Sequence, residues 1–220
     1  MGSEVAYQAL RSAIVEGRIR PGDRIVEQRV AAQLDLSRTP VREAVRMLAA
    51  DGLVLATRHR GAIVRTLGRN DVLDLYDLWA RLESYAAELA STRATDDDLA
   101  EIDTGIRDFA AAAQRTDLSQ LDLTRLVSDA NRRVHNAIIA ASKHVRLAHI
   151  LTSTVDAPLV FEALRAFRHS ELERSNNFHK MIRNRIARGE PKRAAALMFE
   201  HIMLGRDQVL LSMAAAEEHE

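Results

Sequence analysis

Ser37-Arg38-Thr39-Pro40-Val41-Arg42-Glu43-Ala44-Val45-Arg46-Met47-Leu48 carries two patterns on one stretch of chain. Val41, Ala44, Val45 and Leu48 recur at i, i+3, i+4 and i+7, the spacing of a helix with one face turned to a core. Arg38, Arg42 and Arg46 recur at i, i+4 and i+8 and fall together on another face, with Thr39 beside them. The expected helix runs to about Ala50. Ser37 or Thr39 can cap it, and Pro40 is tolerated in the first turn, where its missing N–H has no partner to lose. A helix fits the major groove of DNA, and arginine can donate paired hydrogen bonds to guanine O6 and N7.

The flanking sequence supplies the rest of a small domain. Upstream, Leu10, Ala13 and Ile14 mark a first helix that ends by Gly17 and Pro21-Gly22. Val30, Ala31 and Leu34 mark a short second helix, and Asp35-Leu36-Ser37 reads as a tight turn. Downstream, 53–57 and 62–66 read as two strands around Arg58-His59-Arg60-Gly61. In that hairpin Arg58, His59 and Arg60 offer donors, and Gly61 lets the backbone approach a sugar-phosphate chain. The expected unit is a winged helix-turn-helix over 1–67. Arginines at i, i+4 are common on any solvated helix. What points to nucleic acid is their coincidence with a compact helix-turn-helix and a basic, glycine-tipped hairpin.

Charge agrees. The chain of 220 residues is formally neutral, yet its first 68 residues hold eleven arginines against seven acidic residues, a balance of +4. The remaining 20 basic and 24 acidic residues give −4. A basic first third favours a polyanion. Hydrophobic residues make up 47% and aromatic residues 4%, a globular and helix-favouring balance. No membrane span or signal peptide is expected, and the absence of cysteine fits a reducing cytoplasm and leaves any metal to His, carboxylate or amide ligands.

From Asn70 onward the pattern is helical over 70–92, 96–115, 118–141, 143–166, 169–188 and 191–216. Six such helices suit a bundle over 68–220. His135, His179 and His201 each lie on an apolar face of a different helix, and Asn131 lies one turn before His135. Any one of these is more often an interior histidine than a ligand. Three facing one bundle interior suit zinc, nickel, iron or copper, with zinc or nickel expected, and spacing alone leaves both readings open. A hydrolytic zinc enzyme would need a placed base, as HExxH supplies, and no such motif is present. A bundle without metal, its histidines bonded to each other and to water, is the remaining alternative.

Residues 5–66 closely resemble the winged-helix domain of the GntR family of bacterial transcription regulators. The resemblance rests on Ile19-Arg20-Pro21-Gly22, on 36–44 and on 48–54, with Ser37 to Ala44 the most specific run. It implies operator contacts from Arg38 and Arg42, a phosphate contact from Thr39 and a wing at Arg60-Gly61 in the minor groove. Arg46 is added on geometry. Residues 70–215 resemble the FadR-type C-terminal domain, FCD, and six helices point to its VanR-like branch. That resemblance implies an antiparallel bundle that dimerises on pseudo-palindromic operator DNA, binds a small organic acid and holds a divalent ion through Asn131, His135, His179 and His201.

Two departures stand out. Asn131 replaces an aspartate, and a neutral amide brings no charge to the ion. Trp79 stands where the family often has an effector-binding arginine, three residues before Leu82-Glu83. Trp79 can stack on an aromatic ligand or simply pack the core. Arg81 is nearby but 200° round the helix. The expected function is a DNA-binding regulator, a repressor rather than an enzyme.

Overall fold

The computed structural model describes residues 2–57, 61–154 and 157–217. They form two compact units, with the main division between Gly68 and Arg69.

In the first unit α1 (Gly2–Val15) buries Ala6, Leu10, Ala13 and Ile14 on one stripe. β1 (Arg24–Ile25), α2 (Glu27–Gln33) and α3 (Arg38–Ala50) follow. The turn between α2 and α3 forms around Asp35 at φ 51, a left-handed conformation that aspartate tolerates, and the Leu36 N–H donates to the Ala31 carbonyl at 2.9 Å. Ser37 occupies the N-cap position of α3, but its side chain makes no capping hydrogen bond, and Thr39 lies inside the helix. The expected side-chain cap is therefore not made.

β2 (Val54–Thr57) and β3 (Gly61–Val64) pair antiparallel in the expected hairpin. β1 adds a third strand on the other edge of β3, with Arg24 opposite Ile63 and Ile25 opposite Ala62. Two residues are too few to show alternation, so the sequence reading had two strands only. Gly61 sits at φ 85, and a Cβ there would lie 2.1 Å from the Ile25 carbonyl oxygen. Strand crossing alone thus demands glycine at this position. Ile25, Val41, Val45, Leu48, Val54 and Val64 close one core between helices and sheet.

The second unit is a bundle of α4 (Arg69–Arg93), α5 (Asp96–Ala113), α6 (Gln120–Ala141), α7 (Val145–Thr154), α8 (Ala157–Ala166), α9 (His169–Ala187) and α10 (Pro191–Glu217). Thr95 and Asp98 form a reciprocal capping box on α5, and Ser119 caps α6 through the Asp122 N–H. The helix expected over 143–166 corresponds to α7 and α8. Its junction at 155–156 lies outside the described residues, and with it the count of six. α4 lies along α10, α5 along α6, and α9 touches α4, α5 and α10. At Gly105 the α5 and α6 backbones come so near that a Cβ would meet Val134 Cγ2 at 2.9 Å and Val134 N at 3.1 Å. That contact abuts His135. Phe109, Ile102, Ile138, Ile182 and Met198 are fully buried, each worth about 1.5–3 kcal/mol in transfer free energy.

Candidate metal centre and nucleic-acid face

His135 on α6, His179 on α9 and His201 on α10 converge inside the bundle. His201 Nε2 lies 3.2 Å from His135 Nε2 and 3.1 Å from His179 Nε2. One ligand atom from each fits within 4.8 Å of the others. A ring nitrogen carries either one proton or one lone pair, so His201 Nε2 cannot complete hydrogen bonds to both neighbours. A shared cation would resolve the conflict. With metal–nitrogen bonds of about 2.0–2.1 Å, adjacent ligands stand about 2.8–3.0 Å apart in octahedral and about 3.3–3.4 Å apart in tetrahedral geometry, and both edges fall between these limits. The donor set therefore fits a divalent ion, and these three histidines could hold one.

The surroundings are apolar. Phe109 meets the His179 ring edge-on and Phe178 stacks on His201. His179 is fully buried, and its Nδ1 has no hydrogen-bond partner. Burial, then the neighbouring His201 and His135, hold the His179 pKa well below the usual histidine value, and burial and His135 do the same to His201. Both rings thus stay neutral, the form that binds metal. At His135 burial also works downward, but the charge and hydrogen bond of Glu83 outweigh it and the pKa rises. Glu83 Oε2, from α4, lies 2.5 Å from His135 Nδ1. Asn131 is buried on α6 one turn before His135, on the same face.

Trp79 is buried on α4 with Tyr76 edge-on at 5.0 Å, as a core residue is. Arg81 is not brought to the cluster. Its side chain is 67% exposed and pairs with Asp77 one turn back at 3.0 Å. The half-turn that separates it from Glu83 turns it to solvent, where it forms this surface ion pair.

On the first unit, α3 splits as its sequence pattern requires. Val41, Ala44, Val45 and Leu48 are buried, whereas the Arg38, Arg42 and Arg46 side chains are 62%, 52% and 68% exposed, with Thr39 also exposed. Arg58, His59 and Arg60 lie outside the described residues; Gly61 opens β3. Glu27 of α2 reaches Arg42 Nε at 3.5 Å and Arg38 Nη2 at 4.0 Å. Arg46 pairs with Glu43 at 2.8 Å.

Three residues near these sites were missed by sequence reasoning. Glu27 bridges two arginines. Glu83 stands on the apolar stripe Val72, Tyr76, Trp79, Ala87, Ala90 of α4, where a carboxylate signals a buried partner. Asn176 stands between Leu172 and His179 on the buried face of α9, and its Oδ1 has no hydrogen-bond partner.

Comparison with known proteins gives matches over both units. The model of bacterial regulatory proteins of the gntR family matches residues 3–64, and the FCD domain model matches 74–203. The Nta operon transcriptional regulator of Aminobacter aminovorans is 32% identical over 200 residues, 89% of each chain. A probable D-xylose utilization operon transcriptional repressor of Paenarthrobacter nicotinovorans is 26% identical over 86% of this chain and 80% of its own. Among solved structures, E. coli McbR/YncC superposes with TM-score 0.80 at 19% identity, covering 97% of this chain and 99% of that one. A putative GntR regulator from Rhodococcus sp. RHA1 has TM-score 0.71 at 24% identity, covering 94% and 97%. These two likenesses concern the fold.

Proposed function

We propose that this chain, which belongs to the GntR family of bacterial transcription regulators and carries an FCD domain, represses transcription as a homodimer whose hold on operator DNA changes with a small organic acid. DNA-binding regulation comes with the family, and the matched relatives are named as regulators, not enzymes. Dimer, repression and effector are our reading. So are the domain limits at 1–67 and 68–220 and the cytoplasmic location; no helix among the described residues is long and apolar enough to cross a membrane.

The observation that carries the reading is the division of α3 into a buried apolar stripe and an exposed row of Arg38, Arg42 and Arg46. Two such helices in a symmetric dimer would meet two half-sites of a pseudo-palindrome. Arg38 and Arg42 would read base edges or adjacent phosphates, Thr39 a phosphate, Arg46 the neighbouring backbone, and Arg58, His59, Arg60 and Gly61 the minor groove. Arg42→Ala is expected to weaken specific binding in a gel shift with DNA next to the chain's own gene by roughly 1–3 kcal/mol, about 5- to 150-fold. Unchanged specific affinity would refute the role.

For sensing, His135, His179 and His201, with Asn131, would hold a zinc- or nickel-class ion. When bound, that ion supplies an electron-pair acceptor to which a carboxylate can attach. His179 and His201 present neutral nitrogens, His135 would give up any Nε2 proton to the ion, Phe109 and Phe178 pack against the rings, and the helices carrying them would pass on how a bound acid shifts packing. Effector and operator affinity would then be linked reciprocally. Metal analysis of a His179→Ala, His201→Ala double variant tests the ligands, since wild-type stoichiometry in it would remove them.

A further inference from the structure

Glu83 and His135 meet across the bundle, 52 positions apart in sequence. The carboxylate is 6% exposed and the His135 side chain 13% exposed. A buried carboxylate accepts and never donates when ionised, so the proton in this contact belongs to His135 Nδ1. In the neutral ring the lone pair of His135 then lies on Nε2, the atom that faces His201. His179 has no such hold, since its Nδ1 is unpartnered and its ring is kept in place by packing against Phe109. Among the described residues, His135 is the ring of the cluster seen paired with a carboxylate.

The expected ligand set is neutral, with three imidazoles and the amide of Asn131. A divalent ion in an apolar enclosure calls for compensating negative charge. We propose that Glu83 is the positioning residue of this centre, locking His135 with Nε2 free for a cation and supplying through it the negative charge that Asn131 does not. The inference rests on the reading that the histidines bind a divalent ion. It also gives α4 a stake in the site: any change in His135 is felt by the helix that opens the second unit.

The experiment uses the full chain and zinc alone, titrated against a chromophoric chelator, with long-range proton–nitrogen NMR of the histidine rings. Glu83→Gln is expected to lower zinc affinity about 10- to 100-fold, and Asn131→Asp in that background is expected to restore at least tenfold. The wild-type His135 ring should show the Nδ1-protonated pattern. Glu83→Gln binding zinc like the wild type, or a loss that Asn131→Asp leaves unrecovered, overturns the proposal while leaving the metal centre standing. Wild-type protein that binds no zinc overturns the centre itself. If far-UV circular dichroism shows that Glu83→Gln does not fold, the wild-type tautomer decides, and Nε2 protonation of His135 refutes the inference.

Discussion

Replacing Gly105 by alanine sets two known effects against each other. In a helix interior alanine gains about 1 kcal/mol over glycine, because the unfolded chain loses less freedom. Against this, the new Cβ would stand 2.9 Å from Val134 Cγ2, 3.1 Å from Val134 N and 3.2 Å from Val134 Cα. Two of these atoms are backbone and cannot turn aside, so α5 and α6 must separate by a few tenths of an ångström. Overpacking of this kind costs about 1–3 kcal/mol. The clash should win, with a net loss of about 1 kcal/mol and a fall of about 2–4 °C in melting temperature for a unit of this size. Because Val134 precedes His135, zinc affinity should fall too. Thermal melts followed by circular dichroism, with and without zinc, measure both. A variant that melts higher than the wild type would refute the close approach and the reasoning built on it.

Three further outcomes are expected. Glu27→Gln frees the charges of Arg38 and Arg42, so binding to random-sequence DNA should tighten and its salt dependence steepen by up to about one unit of log–log slope; identical salt slopes would exclude the bridge. Tyr7 donates to Asp51 at 2.5 Å, and burial together with that carboxylate pushes its pKa up to about 12 from 10.0. A raised pKa means stability that is full below pH 10 and is lost as pH rises toward 12. The shift corresponds to about 2.7 kcal/mol, reduced to roughly 1 by solvent at this part-exposed pair. Tyr7→Phe should flatten that alkaline loss in denaturant titrations at pH 9 and 11, and an equal loss in both proteins would contradict it. Asn176→Leu should raise the melting temperature of metal-free protein, because an unpaired buried oxygen costs about 1–3 kcal/mol. A lower melting temperature would mean that water or a neighbour satisfies the amide.

Periodicity made α3 and the three histidines legible, since each stands on a stripe that a helix must turn inward or outward. The hairpin was legible from its glycine and its strands. β1 was not, because a two-residue strand is recruited by β3 rather than by its own composition. Glu27 and Glu83 were hidden for a related reason. Glu27 meets Arg42 from another helix, 15 positions away, and Glu83 meets His135 from 52; no local window contains both partners. Arg81 shows the converse. It stands two residues from Glu83 along the chain, but half a turn of helix sets it on another side of α4, where it pairs with Asp77.

The pairing of β1 with β3 has a mechanical result. β3 is stitched by main-chain bonds to the segment that leads into α2, and Gly61 leaves no slack at that seam. The strands cannot swing on their own without tearing the sheet. A signal acting on this domain would therefore move the sheet and the start of α2 together.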